Sequence, residues 1–196
     1  MTTHKNTKQH TTIATLLLFG IGLLFSCNTF AWMHHIGQKY GGGIVFYVYD
    51  GGLHGLIAAL ADQSSGTKWF NGIYKVTGAT GDGVGAGVMN TAMIVAAQID
   101  DTPGGNFAAK LCADYSVKGA DGVTYGDWYL PSKAELNLLN LQKNVVGGVD
   151  GNLYWSSTES TEFGFNMAWG QRFTDDSWGL YYKWDYRMGV RAVRAF

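Results

Sequence analysis

Residues 126–139, GDWYLPSKAELNLL, decide how the middle of this chain folds. Residues 128–130 run into Pro131, and the residue before a proline is disfavoured in the helical region of backbone conformation. Ser132 then has the position of a helix N-cap, and Glu135 follows three residues later, which is the spacing of a capping box. The stretch therefore predicts an extended segment that turns at Pro131 into a helix.

Large apolar side chains in and near this stretch are candidates for the core. Trp128 and Leu130 lie in its extended part, and the pattern leaves open which of the two faces inward. Leu136 and Leu139 are three residues apart, so they share one face of the helix and form its buried stripe, and the pattern leaves open whether Leu138 joins them. Trp155 belongs to YWSSTE, where the composition becomes that of a β-strand, and is a further expected structural residue.

The segments that precede this stretch predict a hairpin and helices. Residues 43–50 and 53–60 are apolar runs joined by Asp-Gly-Gly, which is typical of a β-hairpin. Residues 89–99 and 106–117 are helical in composition, and the Pro-Gly-Gly between them separates them into two helices. Together with the helix of the opening stretch, two or three helices are expected in the middle of the chain.

The C-terminal part of the chain predicts strands. From residue 154 onward, short strand-like segments recur at about ten-residue spacing, as in an antiparallel sheet. Within them, alternation predicts one half-buried strand face made of Phe165, Met167, Trp169, Gln171 and Phe173. The order of elements is an N-terminal hairpin, helices and then antiparallel C-terminal strands, which defines the α+β class.

The first 31 residues, 1–31, are predicted to be a secretory signal peptide. Two lysines and no acid precede an apolar run at 13–25, and small residues lead up to Ala31. The run is shorter than the roughly 20 residues of a transmembrane helix. Cleavage after Ala31, which we favour, leaves a single domain at 32–196. A lipoprotein-like box before Cys27 leaves open a lipidated cysteine, and with it a membrane anchor.

The composition limits the classes of function. Charged residues make up 15% of the chain, against 28 glycines and 14% aromatic residues, which is typical of a loop-rich domain that contains β-structure. Without Lys5 and Lys8, 12 basic residues stand against 15 acidic ones, a net charge near −3. This balance argues against binding to nucleic acid. Cys112 lies on an apolar helix face, which predicts a buried structural thiol.

Catalytic and metal-binding patterns are weak in this chain. GDGVGAG at 81–87 follows no apolar strand and has no Gly-Lys-Ser/Thr, so it predicts a surface loop and not a phosphate loop. The histidines lack metal-ligand spacing. The aspartate pairs at 100–101 and 175–176 lack the density of a calcium loop, although calcium stays open. Because no Ser/His/Asp or Cys/His group is evident, we expect neither an enzyme nor a cofactor.

The C-terminal third is the candidate binding surface. Aromatic and basic residues interleave here, and the alternation of a strand places some of each outside. Exposed rings stack on sugar faces, and basic groups pair with sulfate or carboxylate. An alternative is that the rings are core and the cations a solvated face. The predicted ligand-binding residues are Arg172, Trp178, Tyr182, Lys183, Trp184, Arg187 and Arg191.

Five segments together resemble the Lcl C-terminal domain family, named for the C-terminal module of a bacterial collagen-like adhesin. They are GGGIVFYV (41–48), HGLIAAL (54–60), GDWYLPSKAELNLL (126–139), YWSSTE (154–159) and VRAVRAF (190–196), and the resemblance covers essentially all of 37–196. It implies a C-type-lectin-like fold, in which a W-x-L-P-[ST]-x-x-E stretch leads into a core helix and a terminal V-R strand closes the domain.

The resemblance also implies a function and a partner. The adhesin's module is a trimer that binds sulfated glycosaminoglycans on host surfaces. This chain lacks a collagen-like stalk, the E-P-N and W-N-D motifs of calcium-dependent lectins, and the cysteine pair of formylglycine-generating enzymes. We therefore expect an exported, non-enzymatic, adhesin-type domain that binds an anionic polysaccharide, with a homotrimer as the implied assembly. The alternative is a protein–protein interaction or envelope-structural module.

Overall fold

A computed structural model describes residues 33–99, 105–149, 153–184 and 188–196, without the side chain of Phe163. The predicted signal peptide with Cys27 lies outside these ranges, and so do Arg187 and the aspartates at 100–101. Within the described ranges, no helix has both the length and the apolar character that crossing a membrane requires.

Short strands at both ends of the chain enclose helices in its middle. In chain order the elements are β1 (Lys39–Tyr40), β2 (Gly43–Tyr49), β3 (His54–Ala59), β4 (Ser64–Thr67), α1 (Ala86–Gln98), α2 (Ala108–Ala113), β5 (Val117–Lys118), β6 (Thr124–Tyr125), α3 (Lys133–Leu141), α4 (Lys143–Val146), β7 (Leu153–Glu159), β8 (Met167–Arg172), β9 (Trp178–Tyr182), β10 (Met188–Val190) and β11 (Val193–Ala195). The α+β class predicted from the sequence is therefore confirmed.

The strands form two main sheets and a small one. The first has the order β1-β2-β3-β11, the second β4-β10-β7-β8-β9, and β5 pairs with β6. The predicted hairpin is present as β2 and β3, which pair antiparallel. Its partner β11 comes from the other end of the chain and runs antiparallel to β3.

The prediction for the C-terminal strands is correct for three of them and incomplete for the others. β7, β8 and β9 form an antiparallel meander. β10, however, pairs parallel with β7 and antiparallel with β4. β11 does not belong to this sheet and pairs with β3 in the first sheet. One strand-to-strand contact of the second sheet is therefore parallel, and the last two strands of the chain join different sheets.

The helix of the opening stretch begins as predicted. The Ser132 side chain accepts a hydrogen bond from the backbone N–H of Glu135, and a Glu135 carboxylate oxygen accepts one from the backbone N–H of Ser132. Pro131 is buried, and its carbonyl accepts a hydrogen bond from the N–H of Ser157 in β7. α3 therefore starts at a fixed place beside the second sheet.

The extended residues before Pro131 divide the core in two. Trp128 and Leu130 both pack into one buried cluster, which also contains Trp155 and Cys112. Tyr129 points the other way, into a second cluster with the two leucines of the α3 stripe. This resolves the orientation that the sequence left open, because both Trp128 and Leu130 face the same core. The backbone of Tyr129 also pairs with Val193 of β11.

Candidate functional site

The side of β8 and β9 on which α3 lies carries a group of large side chains. The register pairs Met167 with Tyr182, Trp169 with Leu180 and Gln171 with Trp178. Residues directly opposite in an antiparallel pair point to the same face of the sheet. We call the surface made by Trp169, Trp178, Leu180, Tyr182 and, from α3, Lys133 the aromatic face.

The predicted strand face is buried at Gln171 and Phe173, as expected, but not at Met167 and Trp169. The sequence assigned Met167 and Trp169 to the core side of the strand, yet both are only half-buried. Ala168 and Gly170, on the other side, are buried, and Ala168 belongs to the core. Small residues occupy the core side because Met188 packs directly against Gly170, which leaves no room for a larger side chain there.

Lys133 places a positive charge on this face. Its ammonium lies 3.5 Å from the centroid of the Trp169 ring and 5.6 Å from that of Trp178. Its backbone N–H donates to Oγ1 of Thr158 at 3.0 Å, so the first residue of α3 is held against β7. The two indole rings therefore orient an ammonium that forms no ion pair with any described carboxylate.

Tyr182 and Trp184 extend the aromatic surface beyond the end of β9. Their side chains are 40% and 48% exposed, which is high for such large rings. The ring centroids are 6.1 Å apart and the planes are inclined by 38°. Two adjacent exposed rings of this kind offer an apolar surface on which a sugar or another ring can lie.

Two of the predicted ligand-binding cations are not on the surface, which corrects the sequence interpretation. Lys183 is fully buried and pairs with the buried carboxylate of Glu159. Arg191 is 1% exposed. Its guanidinium donates to Asp62 at 2.6 Å, to the carbonyl of Ala59 at 2.9 Å, and to two further carbonyls. Both cations hold distant segments together, and neither can reach a ligand.

The remaining predicted cations do not join the aromatic face. Arg172 is exposed, but its guanidinium lies 3.5 Å from the carboxylate of Asp175. Strand alternation also places Arg172 on the opposite side of β8 from Gln171 and its partner Trp178. Arg187 lies outside the described residues. Of the predicted binding residues, the structure brings together the aromatic ones, Trp178, Tyr182 and Trp184.

Lys133 and Trp169 are the residues that the sequence analysis missed. Lys133 was only a helix-start residue inside the capping box, and Trp169 was assigned to the core. Their contact joins α3 to β8, so no local pattern reports it.

The glycine-rich stretch forms an exposed loop that leads into α1, as predicted, and it also contacts the start of α3. The carbonyl of Asp82 accepts a hydrogen bond from the N–H of Ala134, and that of Gly83 accepts one from the hydroxyl of Ser132. The N–H of Gly85 donates to Oε1 of Glu135 at 2.8 Å. These hydrogen bonds occupy polar groups at the start of α3. The N-terminus of α3 is therefore not open to a phosphate.

Other groups with reactive or metal-binding chemistry have ordinary partners. Cys112 is buried, as predicted, and burial raises the pKa of its thiol. Asp176 accepts hydrogen bonds from the ammonium of Lys143 at 2.7 Å and the amide of Asn140 at 2.8 Å, and these two hydrogen bonds lower the pKa of its carboxyl. In the ranges that the structure describes, no three His, Cys, Asp or Glu side chains are grouped to hold a metal ion.

An apolar groove lies elsewhere on the molecule. It has a volume of about 300 Å³ and lies between the turn of β1 and β2 and the β5–β6 hairpin. Its charged lining residues are Lys39, Lys118 and Asp121, all of which are exposed. Binding sites usually combine an apolar wall with a few buried, convergent polar groups, and this groove offers none among its charged residues.

Comparison with known proteins adds no relative. The scan against protein-family models gave no match for this chain, and the search of curated proteins gave none either. The resemblance to the Lcl C-terminal domain family and the fold that it implies therefore remain proposals.

Proposed function

We propose that this chain is an exported, non-enzymatic domain of the adhesin type that binds an anionic polysaccharide through the aromatic face. The observation that carries the proposal is the position of Lys133, whose ammonium is held on Trp169 next to Trp178. An ammonium beside half-buried rings combines the two contacts that an acidic sugar needs, a charge for its sulfate or carboxylate and a flat apolar surface for its ring.

The aromatic rings have two different roles in this proposal. Trp169 is covered by the ammonium and positions it. Trp178 is half-buried, whereas Tyr182 and Trp184 are more exposed, so these three supply the stacking surface. The single cation of the aromatic face in the described residues gives modest affinity for one acidic group, and a polymer with many such groups gains from repeated contacts.

The resemblance in five segments supports the same class of ligand. The Lcl C-terminal domain family implies a C-type-lectin-like fold and binding of sulfated glycosaminoglycans. The α+β order of elements is compatible with that fold. The burial of Lys183 and Arg191 changes the proposed site, because the charge then comes from α3 and not from the C-terminal strands.

Binding to immobilised heparin and to its desulfated form tests the proposal. The purified protein is expected to bind heparin at low salt and to lose binding as salt is added. Lys133→Ala should weaken binding about fivefold, which corresponds to one exposed charge-assisted contact. Lys118→Ala, at an exposed lysine of the small β5–β6 sheet, is the matched control and should leave binding unchanged.

Three outcomes separate the proposal from its competitors. Absence of binding to any acidic polysaccharide at low salt would refute the function. Binding that is unaffected by Lys133→Ala and by Tyr182→Ala would move the site away from the aromatic face. Equal binding to heparin and desulfated heparin would mean that the surface binds carbohydrate but does not require the sulfate charge.

A second candidate function is a protein–protein interaction or envelope-structural module. One observation favours it, since β9 ends the second sheet and no described strand pairs with its outer edge. An open strand edge next to exposed rings is a common docking element between proteins. Oligomers that form without any binding of polysaccharide would support this function over the first.

A further inference from the structure

The backbone of β9 has a defined orientation relative to its outer edge. In the β8–β9 pair, the N–H of Arg172 donates to the carbonyl of Ser177 at 2.8 Å, and the N–H of Lys183 donates to the carbonyl of Asn166 at 3.0 Å. Both pairs belong to the same register as the rest of the two strands. Hydrogen-bonded and non-hydrogen-bonded pairs alternate along antiparallel strands.

This alternation decides which residues face outward. Counting from Ser177, the residues bonded to β8 are Gly179 and Tyr181. Trp178, Leu180 and Tyr182 therefore direct their N–H and C=O groups away from β8, toward the open edge. These three residues also carry side chains of the aromatic face. The same positions thus present unpaired backbone groups at the edge and large apolar side chains beside it.

The usual protections of an edge strand are missing from β9. Its sequence, WGLYY, has no charged residue and no proline. Its register with β8 is regular, whereas the β7–β8 and β10–β4 pairs contain irregularities. Natural edge strands avoid association through charges, prolines and bulges, so an uncharged, regular edge of this length favours pairing with another strand.

We infer that β9 is a self-association edge, on which a second copy of this chain pairs antiparallel with its own β9. The sequence WGLYY is self-complementary in that arrangement. With Leu180 at the two-fold axis, Leu180 lies opposite Leu180 of the second copy, and Trp178 lies opposite Tyr182 of the second copy. Aromatic and aliphatic cross-strand pairs stabilise a sheet, and no like charges meet.

The two-fold axis has a geometric consequence. Directly opposite residues of an antiparallel pair point to the same side of the sheet, so the two aromatic faces lie side by side on one continuous ten-stranded sheet. Each copy contributes one Lys133. The inference does not depend on the glycan proposal, but it supplies two equivalent charged positions if that proposal holds.

The expected association is weak and limited to two copies. One five-residue strand and a few side chains bury less than the roughly 1,200–2,000 Å² of a stable interface, so dimers should form at micromolar concentration and dissociate on dilution. When two copies pair through the same edge, neither has that edge free for a third copy. The homotrimer that the family resemblance implies requires a different contact.

Sedimentation velocity over a series of concentrations tests the inference, with far-UV circular dichroism to verify folding. The purified chain is expected to shift from monomer to dimer as concentration rises. Leu180→Lys places two ammonium groups opposite each other and should abolish the dimer. The control is Leu141→Lys, which changes a 66% exposed leucine at the end of α3 and should keep the dimer.

A charge-swap experiment tests the register itself. Leu180→Lys and Leu180→Glu should each be monomeric, and an equimolar mixture should form a mixed dimer, because only pairing about Leu180 puts the two charges face to face. A monomer at every concentration overturns the inference. The outer edge of β9 would then be a candidate docking site for a strand of another protein. A dimer or trimer that persists in Leu180→Lys, or a mixture that stays monomeric, overturns it as well.

Discussion

The ammonium of Lys183 and the carboxylate of Glu159 form an ion pair in the interior, where their side chains are 1% and 0% exposed. The same carboxylate accepts hydrogen bonds from the backbone N–H groups of Thr77 at 3.0 Å and Gly78 at 2.9 Å. The ammonium also lies 4.3 Å from the centroid of the Trp69 ring. This cluster joins the loop before α1 to the end of β9.

Lys183→Met should destabilise the protein strongly. It leaves the buried Glu159 without its positive partner, which typically costs about 3–5 kcal/mol in the free energy of unfolding. Urea denaturation measures the change. The double variant Lys183→Met/Glu159→Gln removes both charges and should recover much of the loss. Equal stability of the single and double variants would show that the ion pair does not hold this cluster.

Stability should depend on pH through Glu135. Burial raises the pKa of its carboxyl above the ordinary 4.5, against the opposing effect of its hydrogen bonds. The folded state therefore binds the proton more tightly than the unfolded state, and this stabilisation is complete below pH 4.5 and lost as pH rises through the raised value.

The variant Glu135→Gln, which cannot lose a proton, provides the comparison for this dependence of stability on pH. The difference in unfolding free energy between the parent and the variant should shrink as pH rises above 4.5, because the parent alone loses its proton. Chemical denaturation at a series of pH values measures it. A difference that grows with pH would mean that the charged carboxylate is the stabilising form.

Gly87→Ala should destabilise the protein although alanine is the better helix former. A Cβ at Gly87 would lie 2.3 Å from Oε2 of Glu135 and 2.7 Å from the ring of Tyr129, both of which are packed in place. Overpacking of this kind costs about 1–3 kcal/mol, more than the roughly 1 kcal/mol of helix propensity. Gly83→Ala meets no atom within 4 Å and should be nearly neutral in the same thermal-unfolding assay.

Arg191→Lys should be as harmful as a nonconservative change. The guanidinium bonds Asp62 and three carbonyls at once, and an ammonium cannot reproduce that planar fork. A loss of about 2–4 kcal/mol is expected on denaturation, since buried acceptors lose their donors. Arg172→Lys is the exposed counterpart and should change stability by less than about 0.5 kcal/mol. Similar values for the two would contradict the role given to Arg191.

The sequence predicted those features that depend on neighbouring residues. The capping box needs only Ser132 and Glu135, and the hairpin needs two apolar runs with glycines between them, so both were found. β4 has the sequence SSGT, which has no apolar alternation and gives no local strand signal. Its strand conformation comes from pairing with β10, which lies at the other end of the chain.

The candidate site was less predictable, for a reason visible in its charges. Lys183 stands between aromatic residues and Arg191 lies in a strand-like segment, and nothing nearby reveals that Glu159 and Asp62 neutralise them in the interior. A local pattern reports periodicity, whereas burial of a charge depends on a partner far away in sequence. Lys133 was overlooked for the converse reason, since its aromatic partners belong to the later strands.

The pairing of β11 with β3 also governs when this domain can fold. The hairpin of β2 and β3 is synthesised early, but the strand that covers the outer edge of β3 is Val193–Ala195. Until the ribosome has delivered almost the whole domain, that edge is bare, and closing so long a loop is entropically slow. The first sheet therefore cannot be completed at β3 before residues 193–195 are available, although its hairpin forms from residues close together in sequence.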